Sequence, residues 1–279
     1  MTITAILPAF CLLAASNEVK SCCSGDMSQF LNDPAFLAAH MEPIAPATPA
    51  TGGKMRTFDV PTVGKVGAYW VAPKAGSYAA VIMIHEWWGL NEQIKLTAEK
   101  LNQEAGYGVL AIDLYNGKST SNRNEAGKLM GAVDNVTTRL KVQEAVKALK
   151  GGKFGFKPAK IGTVGYCFGG GWSYWTAALG GNNVQACAIY YGMPDSSPEV
   201  VSKLKAPVLF IHANKDKWIN NDVVNALSAE MTKEHKSIKV LNYDADHGFA
   251  NPSNPIFDKA ATEDAWKHLM EFFKANLGR

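Results

Sequence analysis

The chain has 279 residues, 47% hydrophobic, 10% aromatic and 19% charged, with 28 Lys and Arg against 25 Asp and Glu. That balance excludes a disordered chain, and a formal charge of +3 is too mild for the clustered basic footprint of a nucleic-acid binder. No apolar run reaches the roughly 18–20 residues of a membrane-spanning helix, and five cysteines are too few for a disulfide scaffold.

Ile3–Ala15 is almost entirely apolar and runs into Ala14-Ala15-Ser16, which fits the core and cleavage site of a secretory signal over residues 1–16. The positive leader is missing, the first basic residue being Lys20. A periplasmic or secreted location is expected on this ground, with the cytoplasm as the alternative. Cys22 and Cys23 are adjacent, and such a pair bridges only with strain and cannot by itself complete a four-ligand zinc site. Residues 17–53 read as a flexible Pro/Ala-rich tether, with Pro34, Pro43, Pro46 and Pro49 and a closing Gly52-Gly53. A short helical turn around Pro34–His40 is all the structure expected there. Residues 54–279 contain no second linker or repeat and form one domain, compatible with a monomer.

In that domain Arg56–Val60 and Val66–Ala72 read as antiparallel strands with Gly64 in the turn. Ala79–Ile84 is a continuous apolar run, as a strand buried on both faces requires. Glu92–Ala105 has helical spacing between a capping Asn91 and Gly106. Strand Val109–Ile112, helices Glu125–Met130 and Val133–Leu149, strand Ile161–Val164 and a helix over Phe168–Leu179 follow. Strands Ala186–Tyr191 and Val208–His212, helix Asn221–Lys233, strand Ile238–Tyr243 and helix Phe257–Ala275 complete the chain. Alternating strands and helices demand crossover connections, so the fold class is α/β, a mostly parallel sheet with helices on both faces.

The strand at Ile161 runs into Gly165-Tyr166-Cys167-Phe168-Gly169 and then a helix. This is the nucleophile-elbow arrangement with cysteine in place of serine: the turn strains the nucleophile, and small residues two positions away let strand and helix approach. The helix start offers backbone N–H groups to a developing anion and favours a thiolate. Taken alone the motif also fits a glycine-rich turn around a structural cysteine. Elbow folds carry nucleophile, acid and histidine in that chain order. Asp216 follows the strand ending at His212, and His247 follows the strand ending at Tyr243. Both therefore fall at the C-terminal strand edge, where ligands bind in open parallel sheets. Asp222, Asp244 and Asp246 are rival acids, the first at a helix start where capping is expected and the others too close to His247 in sequence. His85-Glu86-Trp87-Trp88-Gly89 lies at the same edge and can supply the second N–H of an oxyanion hole beside that of Phe168. His85 and His212 read as structural. His40, His235 and His268 fall in no motif, no His, Cys and carboxylate cluster has metal spacing, and neither metal nor organic cofactor is expected.

The segments HEWWG, Asp113-Leu114-Tyr115, GYCFGG, the Asp after VLFIHANK and the HGF at His247 together resemble the dienelactone hydrolase family of α/β-hydrolases, from about Arg56 to the C-terminus. The resemblance implies Cys167 as nucleophile, His247 as general base and Asp216 as its orienting acid. It also implies that Glu86 keeps the resting cysteine a poorly reactive thiol, and that Trp87 and Phe168 give the oxyanion-hole N–H groups. The expected activity is cleavage of a small ester or lactone. A thioesterase, a haloacid-type hydrolase and a non-catalytic redox- or metal-responsive protein are the alternatives. Two arginines hold the substrate carboxylate in the family's founding lactonases; here their positions read Gly117 and Asn251, leaving Lys118 or Arg123 as substitutes. A neutral or bulkier ester therefore fits better than a dienelactone. Trp88, Tyr115, Tyr166, Tyr191, Trp218, Phe249 and Asn251 are the expected pocket residues, with Trp172 a further aromatic candidate for its wall.

Overall fold

The structure is a computed structural model and describes residues 26–278. The secretory-signal reading of residues 1–16 and the pair Cys22-Cys23 lie outside the described residues. Among those described, no helix is long and apolar enough to cross a membrane.

Among the described residues, eight strands form one sheet: β1 (Lys54–Val60), β2 (Gly64–Val71), β3 (Ala79–Ile84), β4 (Gly108–Ile112), β5 (Lys160–Tyr166), β6 (Ala186–Tyr190), β7 (Val208–Ala213) and β8 (Ile238–Tyr243). Their spatial order is β1-β2-β4-β3-β5-β6-β7-β8. The β1–β2 and β2–β4 pairs are antiparallel, and every other pair is parallel. The central strands are apolar throughout because they are covered on both faces: all six residues of β3 and all five of β4 and β6 are buried.

The helices are α1 (Pro34–Ala39), α2 (Glu92–Ala105), α3 (Arg123–Gly131), α4 (Asn135–Lys150), α5 (Phe168–Gly180), α6 (Pro198–Val201), α7 (Asn221–Lys233) and α8 (Lys259–Leu277). Their ends follow local chemistry. The Asn91 side chain accepts from the Ile94 N–H at the start of α2, and Gly106 takes the left-handed conformation (φ 76°) that stops it. Neighbouring residues of β5 show that both faces are covered, since successive strand residues point opposite ways. A Cβ on Gly162 would meet Leu277 and Phe273 of α8, whereas the Thr163 hydroxyl donates to the Ser173 carbonyl of α5. Leu269, Phe273 and Leu277 recur every fourth residue along α8 and are fully buried, the stripe that a sheet-packing helix needs.

The expected elements match with shifts of one or two residues at most ends; the short α6 and two 3-10 turns (Met27–Phe30 and Gly181–Asn183) were not expected. The larger difference is in the stretch read as a tether. The short helix around Pro34–His40 is present, with Asp33 as its cap and Pro34 in its first turn, but the segment packs on the domain. Met27, Phe36 and His40 are buried, and Leu31 rests where Gly131 leaves room on α3. Polar ties hold it down: Trp218 Nε1 donates to Asp33 Oδ2 (2.9 Å), Asn135 Nδ2 to Asp26 Oδ2 (3.0 Å), and the Ile44 N–H to the Ser253 carbonyl (2.7 Å). The prolines and alanines suggested an extended chain. Apolar residues at 27, 30, 31, 36 and 37, spaced for one face, carry the packing instead.

Candidate active site

Four parallel strands end at one edge of the sheet, and the loop after each delivers one part of the site: β3 into His85–Gly89, β5 into Cys167, β7 into Asp216, and β8 into His247. Cys167 has φ 55° and ψ −121°, a conformation that costs on the order of 1–3 kcal/mol for a residue with a side chain. Two glycines make this turn possible. A Cβ at Gly165 would collide with the Gly169 carbonyl, and one at Gly169 with the carbonyls of Ile84 and His85. The Cys167 N–H is tied to the Tyr190 carbonyl (3.0 Å), so the thiol stands at the N-terminus of α5. As the first residue of that helix, Phe168 has an N–H without a partner inside the helix, the type of donor that stabilises an anion.

Of the four candidate acids, the structure joins one to His247. Asp216 Oδ2 lies 2.5 Å from His247 Nδ1, while its other oxygen accepts from the N–H groups of Trp218 and Ile219, both at 2.9 Å. Asp222, Asp244 and Asp246 are exposed. Burial works against the charged forms of both partners, but each ion outweighs it for the other. The Asp216 carboxylate and the neighbouring Cys167 hold the His247 pKa well above the ordinary imidazole value, and His247 with the two backbone donors holds Asp216 below the ordinary carboxylate value. With Nδ1 committed to Asp216, the buried Nε2 of His247 is the ring nitrogen left to face Cys167.

Glu86 is buried, and that burial pushes its pKa up to about 7, against the pull of its donors. Those donors are Asn251 Nδ2 (2.5 Å) and the Tyr191 hydroxyl (3.4 Å). Asn251, which stands at one of the two arginine positions, is thus bonded to Glu86. Gly117, at the other, has φ 87°, and its N–H donates to Asp113. Lys118 is exposed. Arg123 is close enough to act on the charge of His40, and its buried Nε has no partner among the described residues. His85 and His212 are structural, as expected: His85 Nδ1 meets the Glu86 carbonyl while its Nε2 accepts from the Leu114 N–H, and His212 bonds Asn242 and the Ile219 carbonyl.

A cavity of only about 10 Å³ remains beside the thiol, lined by His40, Glu86, Trp87, Trp88, Cys167, His247, Gly248 and Asn254. Among the expected pocket residues, Trp88 lines it. Tyr115 packs on Phe168 and His85, Tyr166 on Tyr190, and Phe249 on Tyr191 and Tyr243, all in the interior. Trp218 faces α1 and an outer groove of about 430 Å³ that also reaches Ala35, Met41, His247 and Ile256.

The space is small because the N-terminal segment fills it. His40 was not expected here: no His, Cys and carboxylate cluster has metal spacing along the sequence, and the fold brings one together through this residue. One ring nitrogen each of His40 and His247 and the Cys167 sulfur lie within 4.8 Å of one another, all buried. His40 Nε2 is 3.8 Å from Cys167 Sγ, and Met27 Sδ is 4.0 Å from it. Burial, then the neighbouring His247, lowers the His40 pKa to about 3, so its ring is neutral. The Nδ1–H of that neutral ring donates to the Phe36 carbonyl (2.8 Å), leaving an Nε2 lone pair facing the sulfur. The available signal was the spacing of Phe36 and His40, which share a face four residues apart.

A profile of the dienelactone hydrolase family matches residues 66–277. The chain is 35% identical over 235 residues to protein usf of Aquifex pyrophilus, covering 81% of this chain and 99% of that one. It is 32% identical to a putative carboxymethylenebutenolidase of Aquifex aeolicus, again over 81% and 99% of the two chains. Among solved structures, the fold is similar to that of a putative dienelactone hydrolase from Klebsiella pneumoniae (TM-score 0.68, 22% identity, 80% of this chain and 99% of that one). It is also similar to that of a dienelactone hydrolase-like promiscuous phosphotriesterase from metagenomic libraries (TM-score 0.71, 20% identity, 82% and 100%).

Proposed function

Because the chain belongs to the dienelactone hydrolase family of hydrolases, we propose that it cleaves ester or lactone bonds by acyl transfer to the sulfur of Cys167. His247, oriented by Asp216, takes the thiol proton, and the thiolate attacks the substrate carbonyl carbon. The tetrahedral oxyanion sits against the N–H groups of Phe168 and Trp87, and losing one such donor costs roughly 3–4 kcal/mol of barrier stabilisation. The imidazolium returns its proton to the leaving alkoxide. Water, deprotonated by His247, then hydrolyses the thioester and regenerates the thiol. The observation that carries this reading is the Asp216–His247 hydrogen bond beside a cysteine strained at an elbow.

Glu86 in this reading is a positioning residue. Its contacts are Asn251 and Tyr191, so it shapes the field beside the thiol without bonding to it. The site favours a neutral ester over a carboxylate-bearing lactone, because Asn251 is held by Glu86 and Gly117 offers no charge. A cavity of about 10 Å³ holds little more than one water, so substrate enters when Met27 and His40 move aside.

The test is hydrolysis of a neutral aryl ester and of a dienelactone by the same preparation. Preference for the ester is expected. Preference for the dienelactone that is lost in Arg123→Gln would assign the carboxylate to Arg123 and overturn the neutral-substrate reading. No turnover of either would overturn the hydrolase proposal for these substrate classes.

A further inference from the structure

The triad accounts for Cys167 and His247, but not for a second imidazole and a thioether brought to the same sulfur from outside the domain body. His40 and Met27 belong to the segment packed over the strand ends. Each points a soft or borderline donor atom at Cys167 Sγ, from 3.8 Å and 4.0 Å. We propose that His40, Cys167 and His247, with the Met27 thioether as a fourth donor, bind one soft metal ion, copper(I) ahead of zinc, and that the bound ion holds the site closed.

Geometry supports the first part. Thiolate and imidazole ligands about 2.3 and 2.0 Å from a metal, at a tetrahedral angle, stand about 3.5 Å apart. The 3.8 Å between Cys167 Sγ and His40 Nε2 needs only a few tenths of an ångström of adjustment. Both imidazoles are also oriented as metal ligands are, with Nδ1 fixed by an acceptor and Nε2 left for the ion. For His247 the acceptor is a carboxylate, Asp216; for His40 it is the Phe36 carbonyl. His247 Nε2 is buried and faces into this cluster beside Cys167.

The donor set selects the metal class. Two imidazoles and a thiolate with a longer, weaker thioether form the ligand set of protein copper sites, and thiolate with thioether favours copper(I) over zinc. Met27 is therefore the residue that distinguishes the two ions. Binding replaces the S–H bond with a sulfur–metal bond, the proton goes to solvent, and no oxidation state changes.

The consequence follows from where the ligands come from. The ion bridges the segment to the strand-end loops, so it binds the closed arrangement and shifts the population towards it. It also takes the lone pairs of Cys167 and His247 that acyl transfer uses. Silencing of hydrolysis rests on the proposed acyl-transfer function; metal binding does not.

The full-length protein, reduced and free of metal, is titrated with copper(I) in competition with a colorimetric chelator, and separately with cobalt(II) while thiolate-to-cobalt absorption is recorded. One ion per chain is expected, with the cobalt–thiolate band present in wild type and absent in Cys167→Ser. His40→Phe keeps the ring contacts with Phe36 and Trp87 but removes the nitrogen. It should weaken both ions by tenfold or more, with circular dichroism confirming that the variant is folded. Met27→Leu should weaken copper(I) about tenfold and leave cobalt(II) nearly unchanged. Wild-type affinity in a folded His40→Phe, or no binding by wild type, overturns the site. Undiminished copper(I) affinity in Met27→Leu overturns the copper preference. Ester turnover is then measured with copper(I) bound and after chelation, where suppression and recovery are expected. If copper(I) binds and turnover is unaffected, the silencing claim fails. If wild type turns over no ester, the hydrolase proposal fails while the binding results stand on their own.

Discussion

The domain body and the segment laid over it contribute to the same few cubic ångströms by opposite means. In the body, the position of Cys167 is fixed from within its own neighbourhood: a buried strand, two glycines that permit contact, and a helix that starts on the next residue. In the segment, local bonds orient the His40 ring on Phe36 but do not place it over the site. It reaches the sulfur because Phe36 is buried between the rings of His40, Trp87 and Trp218, and because Asp33 and Asp26 are held by side chains more than a hundred residues away. The body fixes where Cys167 stands, and the segment decides how much space is left around it.

The sharpest way to break this contrast is to remove the group itself. If Cys167 is the nucleophile proposed, Cys167→Ala should lower ester turnover by about 10⁴-fold or more while leaving the melting temperature nearly unchanged. Steady-state hydrolysis with a thermal melt checks both halves. Asp216→Asn should cost about a hundredfold or more in kcat, because an amide cannot hold the imidazolium and can select the wrong tautomer. The same substitution at exposed Asp222 should change little, and the reverse order would assign the acid elsewhere.

Two phenylalanines, both fully buried, compare the regions directly. Phe210→Ala in β7 should destabilise the whole domain by about 3–5 kcal/mol in denaturant unfolding. Phe36→Ala should cost the global transition less, because the segment can open on its own, and should raise kcat/KM for bulky esters severalfold by freeing the space over Cys167. Equal global costs with no gain in activity would mean that segment and body unfold and act as one unit.

The smallest effect is the pH response of Glu86. Its pKa of about 7 in the fold exceeds the ordinary carboxyl value of 4.5, because burial penalises the charge. A carboxyl shifted upward binds its proton more tightly folded than unfolded, so its contribution is full below about pH 4.5 and lost as pH rises through 7. Wild type should therefore lose stability relative to Glu86→Gln over that window, by roughly 3 kcal/mol at most. A difference that stays flat with pH would mean that Asn251 and Tyr191 already compensate the carboxylate.

This contrast also explains how much was legible in the sequence. Ala79–Ile84, Asn221–Lys233 and Ile238–Tyr243 were read to the residue because apolar runs, helical spacing and caps act over a few positions. The glycines around Cys167 and the loops after β7 and β8 were readable for the same reason, and Asp216 and His247 meet as the chain order suggested. The pocket was not readable in that way. Tyr166 and Phe249 are aromatic residues near the motif that fill the interior, and composition does not tell a pocket wall from a core. His40 lay in a stretch rich in proline and alanine, and its partners are 127 residues away at Cys167 and further still at His247. Beyond the shared face of Phe36 and His40, burial over that separation leaves no local pattern.

Acyl transfer to Cys167 is tested most directly by rapid quenching of the enzyme with a neutral aryl ester, followed by intact-mass and peptide analysis. The account predicts a transient adduct of one acyl group per chain, located on the peptide containing Cys167 and decaying at the rate of turnover. Turnover without any adduct on Cys167, or an adduct on another residue that forms and decays at the catalytic rate, would contradict it.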